Sequence, residues 1–117
     1  MGREVVMRFC EPVYSGEKAR EHLQEYRRLL DRLSETEYGE LKFYVLTAPA
    51  NERNLMELIP AFHLKQVYDR RDTLVILGLA ADRNEAFELC GRILRDCYIC
   101  HGKLSRELLY SPPEKEL

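Results

Sequence analysis

Residues Cys97-Tyr98-Ile99-Cys100-His101 set two thiols and an imidazole in the C-x-x-C-H string that attaches a c-type haem. An iron held there would draw its opposite ligand from Met7, Met56 or His63. The alternative chemistry is a zinc ion or iron–sulfur cluster on Cys90, Cys97, Cys100 and His101, completed by Cys10. Cys90 and Cys97 on one helix lie about 10 Å apart along its axis, too far to grip one ion directly, and no second ligand pair exists in the chain. Helical periodicity accounts for the string more simply. Ala86, Leu89, Cys90, Ile93, Leu94, Cys97 and Cys100 recur at steps of three and four, which makes them one stripe of an amphipathic helix in which cysteine serves as a small hydrophobe. The expectation is a chain without haem, metal or other cofactor, whose cysteines are core residues.

The remaining reactive side chains form no set. His22 and His63 have no serine or carboxylate spaced to complete a hydrolytic triad. The chain's 6 glycines form neither a phosphate-binding loop nor a Walker string. Arg27, Arg28 and Arg32 are interleaved with Glu21, Glu25, Asp31 and Glu35, the pattern of a solvated helix face.

The elements that must position these groups follow a strand-and-helix rhythm. Residues 3–9 read as a strand with Val5, Met7 and Phe9 on one face. Ser15 is placed to cap a helix carrying Ala19, Leu23, Tyr26, Leu30 and Leu33, and Gly39 turns the chain into a second strand over residues 41–47. Asn51 is placed to cap a short helix with Leu55, Met56, Leu58 and Ile59, stopped by Pro60. Residues 62–68 and 73–80 read as a hairpin turning at Asp69-Arg70-Arg71-Asp72, its second strand apolar enough to be central and its first polar enough for an edge. Asp82 and Glu85 make a capping pair for a last helix, supported by a Glu88–Arg92 pair and ended by Gly102. Leu104, Leu108 and Leu109 follow, and residues 111–117 read as a disordered tail. A faint internal echo, Val45 to Leu58 against Ile76 to Leu89, supports a strand-then-helix reading of both segments.

The expected fold is an α/β (α+β) two-layer sandwich on a four-stranded mixed sheet, residues 1–110, in the order β-α-β-α-β-β-α. That order resembles the thioredoxin-like fold, with a ferredoxin-like arrangement as the other possibility. Ile59-Pro60-Ala61-Phe62 looks like the segment in which that family carries a cis-proline, and Cys10 falls between the first strand and first helix, where the family holds its nucleophile. The resemblance implies a thiol-dependent or ligand-binding protein using Cys10 and Pro60. Cys10-Glu11-Pro12-Val13 holds no resolving thiol, and Cys97-x-x-Cys100 sits at a helix C-terminus, where the dipole disfavours a thiolate.

At 117 residues the chain suits one core. Eighteen basic and 20 acidic side chains give a net charge of −2, which offers no bulk attraction to nucleic acid. Glu4 and Arg8 interrupt any secretory h-region, and the longest apolar run, residues 74–81, is too short to span a bilayer. The expectation is a cytoplasmic protein with reduced thiols and no nucleic-acid or membrane partner. The function read from these features is a non-catalytic binding or regulatory module. It is expected to form a homodimer through the third-strand edge or the leucines after Gly102, with the Cys10/Pro60 thioredoxin-like protein as the alternative.

Overall fold

The computed structural model describes residues 6–48, 55–64, 73–105 and 108–109. Within them lie strands β1 (Val6–Ser15), β2 (Tyr44–Thr47), β3 (Glu57–Pro60) and β4 (Thr73–Ala80). The helices are α1 (Glu17–Arg20), α2 (Leu23–Asp31) and α3 (Arg83–His101), with 3-10 turns at Leu33–Glu35, Tyr38–Glu40 and Ala61–His63. The strands form one mixed sheet in the order β1-β4-β2-β3. β1 runs parallel to β4, while β2 is antiparallel to both β4 and β3.

β4 is central because its apolar run can be covered on both faces, and a bulge divides those faces. Leu46 pairs with Gly78 but Thr47 with Ile76, which leaves Leu77 as the extra residue. Ile76 and Leu79 therefore join Val45, Ile59 and Phe43 in one cluster, packed under Leu23, Tyr26, Leu29 and Leu30 of α2. Leu77 and Ala80 join Leu46 in the other, packed under Ala86, Leu89, Ile93 and Cys97 of α3. The adjacent residues Val45 and Leu46 point into different clusters, as strand alternation requires. A helix thus covers each face, so the expected two-layer sandwich is corrected: the apolar content of β4 supplies two cores, not one.

The first helix departs from expectation at its start. β1 extends through Ser15, so Ser15 is the last strand residue and caps nothing; Gly16 holds the N-cap position and contributes no side-chain bond. The helical segment breaks between Arg20 and Leu23, yet keeps its apolar stripe, with Ala19, Leu30 and Leu33 buried. Tyr26 stacks on Phe43 with ring centroids 4.1 Å apart. The Thr36 hydroxyl, 2.8 Å from the Arg32 carbonyl and 3.2 Å from that of Leu29, holds the far end of α2.

Residues 57–60 form a strand, which corrects the expected short helix. Its partner β2 provides the reason: Tyr44 to Thr47 pair in register with Pro60 to Glu57, and the Ala61 amide continues the ladder to Phe43 at 2.8 Å. Phe62 and His63 lie in a 3-10 turn that Leu64 closes, which corrects the start of the expected third strand; residues 65–68, the hairpin turn at 69–72, Asn51 and the tail 111–117 lie outside the described residues. α3 begins and ends where expected. The Asp82 carboxylate accepts from the Glu85 amide at 2.9 Å, and Gly102 ends the helix in the left-handed region at φ 74°. The expected Glu88–Arg92 pair does not form, because the Arg92 guanidinium donates instead to the Ser15 carbonyl at 2.9 Å.

Candidate functional site

Two adjacent parallel strands, β1 and β4, end side by side, the Gly16 amide donating to the Leu79 carbonyl at 3.1 Å. The chain leaving β1 passes through α1 to α2 over one face, and the chain leaving β4 forms α3 over the other. This divergence is a topological switch point, the place where open α/β sheets bind ligands beyond the carboxyl ends of their strands. An open cleft of about 600 Å³ lies there, with Gly16, Lys18, Asp82, Asn84 and Glu85 on its walls.

The chain places its own anion in that position. Glu85 is only 8% exposed. Its carboxylate accepts from the Lys18 amide at 2.6 Å, the Ala19 amide at 3.2 Å and the Ala81 amide at 2.7 Å. Lys18 and Ala19 supply the first-turn amides of α1, which a serine at the N-cap would otherwise satisfy. The cap comes instead from a residue 67 positions away, on the first turn of α3. Gly16 is required for this: a Cβ there would collide with Cγ, Cδ and Oε1 of Glu85. The sequence's capping pair is half realised, since Asp82 accepts from the Glu85 amide while the Glu85 side chain turns to Ala81 and α1.

At the mouth, Lys18 Nζ lies 3.0 Å from Asp82 Oδ2. Asp82 is held below its ordinary value of 3.8, first by the Glu85 amide and then by Lys18, and Lys18 is held above 10.5 by its bond to Asp82. The rim balances Lys18, Arg20, Arg92 and Arg95 against Glu17, Asp82, Glu85 and Glu88, so it presents no net charge to attract a polyanion. Sequence reading gave Asp82 and Glu85 only as a local cap and did not find Gly16 or Lys18. The available signal was a glycine directly after an apolar strand, where backbone is approached closely.

The chemistry-bearing residues of the sequence are dispersed. Cys97 is buried in the α3-side core, its thiol 3.7 Å from the Lys103 carbonyl. Cys100 and His101 are exposed, which corrects the expectation of Cys100 as a core residue. The cavity beside them measures about 110 Å³, below the smallest ordinary ligand pockets of roughly 300 Å³. Cys90 is half-buried, and burial pushes its thiol above the ordinary value of 9.0. Among the described residues, no three His, Cys, Asp or Glu side chains converge as a metal set.

Cys10 does not stand between strand and helix. It lies inside β1, where the register slips between Phe9 and Tyr14, and packs toward the α3-side core. Pro60 ends β3, at the opposite side of the described sheet. Three strand spacings, on the order of 14 Å, separate the two strands. β1 and β3 stand at opposite ends of the described sheet, so Cys10 and Pro60 are not brought together.

Arg27 of the expected solvated ridge lies over the Phe9 ring, its guanidinium carbon 4.3 Å from the centroid. Of the leucines after Gly102, Leu109 is buried in the chain's own core and Leu108 packs against it, held by a turn in which Ser105 accepts from the Leu108 and Leu109 amides. These two are therefore not the free apolar surface expected. No described helix is long and apolar enough to cross a membrane. Comparison with protein-family models, with curated proteins and with solved structures finds no match to this chain.

Proposed function

We propose that this chain is a small cytoplasmic, non-catalytic binding or regulatory module that self-associates and works by surface docking. The observation that carries the reading is the Glu85 carboxylate seated at the switch point. The amides that would bind a substrate phosphate or carboxylate there already hold an anion that belongs to the chain. The dispersal of the thiols supports the same reading, since nucleophilic catalysis needs an activating base within hydrogen-bond reach. The surface offers apolar contact instead: Phe87 is 56% exposed, Tyr98 58% and Ile99 71%, all on α3.

Amide NMR titration of the full chain with inorganic phosphate, a nucleoside triphosphate and a dicarboxylate tests this. The expected result is no saturable shift at Gly16, Lys18, Ala19 or Ala81. Saturable shifts at those amides, with loss of the Glu85 bonds, would overturn the reading.

A further inference from the structure

α3 carries two apolar stripes. Ala86, Leu89, Ile93 and Cys97 face the core. Phe87, Gly91, Leu94 and Tyr98 follow one another at steps of four, three and four, fall within an arc of about 60°, and stand about 120° round the helix from the core stripe. Phe87, Gly91 and Tyr98 are exposed and Leu94 is half-buried. The 4-3-4 spacing is that of a helix seam built to receive another helix. At its centre Gly91 has open space around the position of a Cβ, so no described residue of the chain requires a glycine there. Glycine weakens a helix interior, and what it permits in exchange is close approach of a second backbone.

The charges beside the seam identify the occupant. Glu88 and Arg95 flank it on the side away from the core; both are exposed, and neither forms an ion pair among the described residues. The geometry points to a second copy of this chain, its α3 antiparallel to the first across a twofold axis between Gly91 and Leu94. In that register Phe87 of one protomer meets Tyr98 of its partner, Gly91 receives Leu94, and Glu88 meets Arg95. Every contact occurs twice, as twofold symmetry requires, and each is complementary. A parallel twofold pair would set the Glu88–Arg95 flank of each helix against the opposite flank of its partner, so the two charges would not meet. The assignment rests on the binding-module reading and gives it a partner and a surface.

Sedimentation equilibrium of the full chain, from micromolar to millimolar, tests it. The expected mass is twice the chain's 13.8 kDa. Glu88→Arg and Arg95→Glu should each weaken the dimer about tenfold, because two attractive contacts become repulsive. The double exchange should restore it. Phe87→Ser should weaken it about 100-fold, because it removes an aromatic anchor from each of the two Phe87–Tyr98 contacts. Circular dichroism on each variant establishes that the monomer is folded. A folded wild-type monomer throughout, or a dimer whose affinity ignores both single charge exchanges, would overturn the inference. Either result leaves the phosphate titration unaffected, so failure of this surface and failure of the non-catalytic reading are distinguishable.

Discussion

Removing the Glu85 side chain strips the acceptor from three backbone amides at once. A buried donor left unsatisfied costs about 1–3 kcal/mol. The cleft is open, so water reaches these amides and the lower end applies, giving about 3 kcal/mol for Glu85→Ala. Glu85→Gln keeps one acceptor oxygen but turns an amide nitrogen toward N–H groups, and should cost about 2 kcal/mol. Gly16→Ala reaches the same outcome from the other side, since its methyl would occupy the volume of the carboxylate and expel it. The two changes therefore share one loss. Gly16→Ala should cost about 2–3 kcal/mol in the wild-type background and close to nothing when Glu85 is already alanine, a coupling of about 2 kcal/mol. Urea denaturation of the four proteins, with m-values compared, measures it. If Glu85→Ala stays within about 0.5 kcal/mol of wild type, or the two costs simply add, the cross-chain cap does not carry the stability assigned to it.

Gly91→Ala should stabilise the isolated fold by about 1 kcal/mol through helix propensity while weakening self-association, opposite signs that denaturation at high dilution and sedimentation separate. Thiol labelling with a disulfide reagent should modify exposed Cys100 first, half-buried Cys10 and Cys90 more slowly, and Cys97 only as the fold opens, with Cys97→Ser costing about 1–3 kcal/mol in the same denaturation assay. Asp82 ionises at lower pH in the fold than in the unfolded chain, so its contribution is complete above pH 3.8 and is lost as pH falls through its depressed value. Lys18 is shifted upward, so its contribution is complete below pH 10.5 and is lost as pH rises beyond. Asp82→Asn should flatten both limbs of a stability–pH profile and leave the neutral plateau nearly level; an unchanged acid limb would contradict the bonds that Asp82 accepts from the Glu85 amide and from Lys18.

β4 and α3 were legible because their signals are local. An uninterrupted apolar run, an aspartate cap and a terminal glycine each act within a few residues. Residues 57–60 were not, because Leu55, Met56, Leu58 and Ile59 satisfy helical and extended spacing equally, and pairing with β2 decides between them. The echo between Val45–Leu58 and Ile76–Leu89 misled for the same reason: the strands correspond, but residues 57–60 answer to a neighbouring strand where the later segment answers to its own caps. The end of β1 was misplaced because Ser15 is an excellent cap by type, and only a carboxylate far along the chain makes it unnecessary. The cleft shares that difficulty, since Gly16 and Lys18 acquire meaning only against Glu85. The cysteine string is legible as helix, and periodicity keeps Cys100 on the core stripe, but Cys97 is the last buried residue of α3 and the final turn runs past the core, which leaves Cys100 exposed.

The pairing of β1 with β4 also sets a timetable. Val6 hydrogen-bonds beside Thr73, and the cap on α1 waits for Glu85. A ribosome adding about 5–20 residues per second needs roughly 3–15 seconds between finishing the first strand and supplying the one that holds it. Throughout that interval β1 lacks the only strand that pairs with it among the described residues, and α1 lacks the carboxylate that caps its first turn. The amino-terminal third of the chain is made before the strand and the carboxylate that hold it in the finished fold, and its unpaired edge is open to other nascent chains until the sheet's centre arrives. Slow codons placed before residue 73 would lengthen that exposure, and the same codons placed after α3 would not.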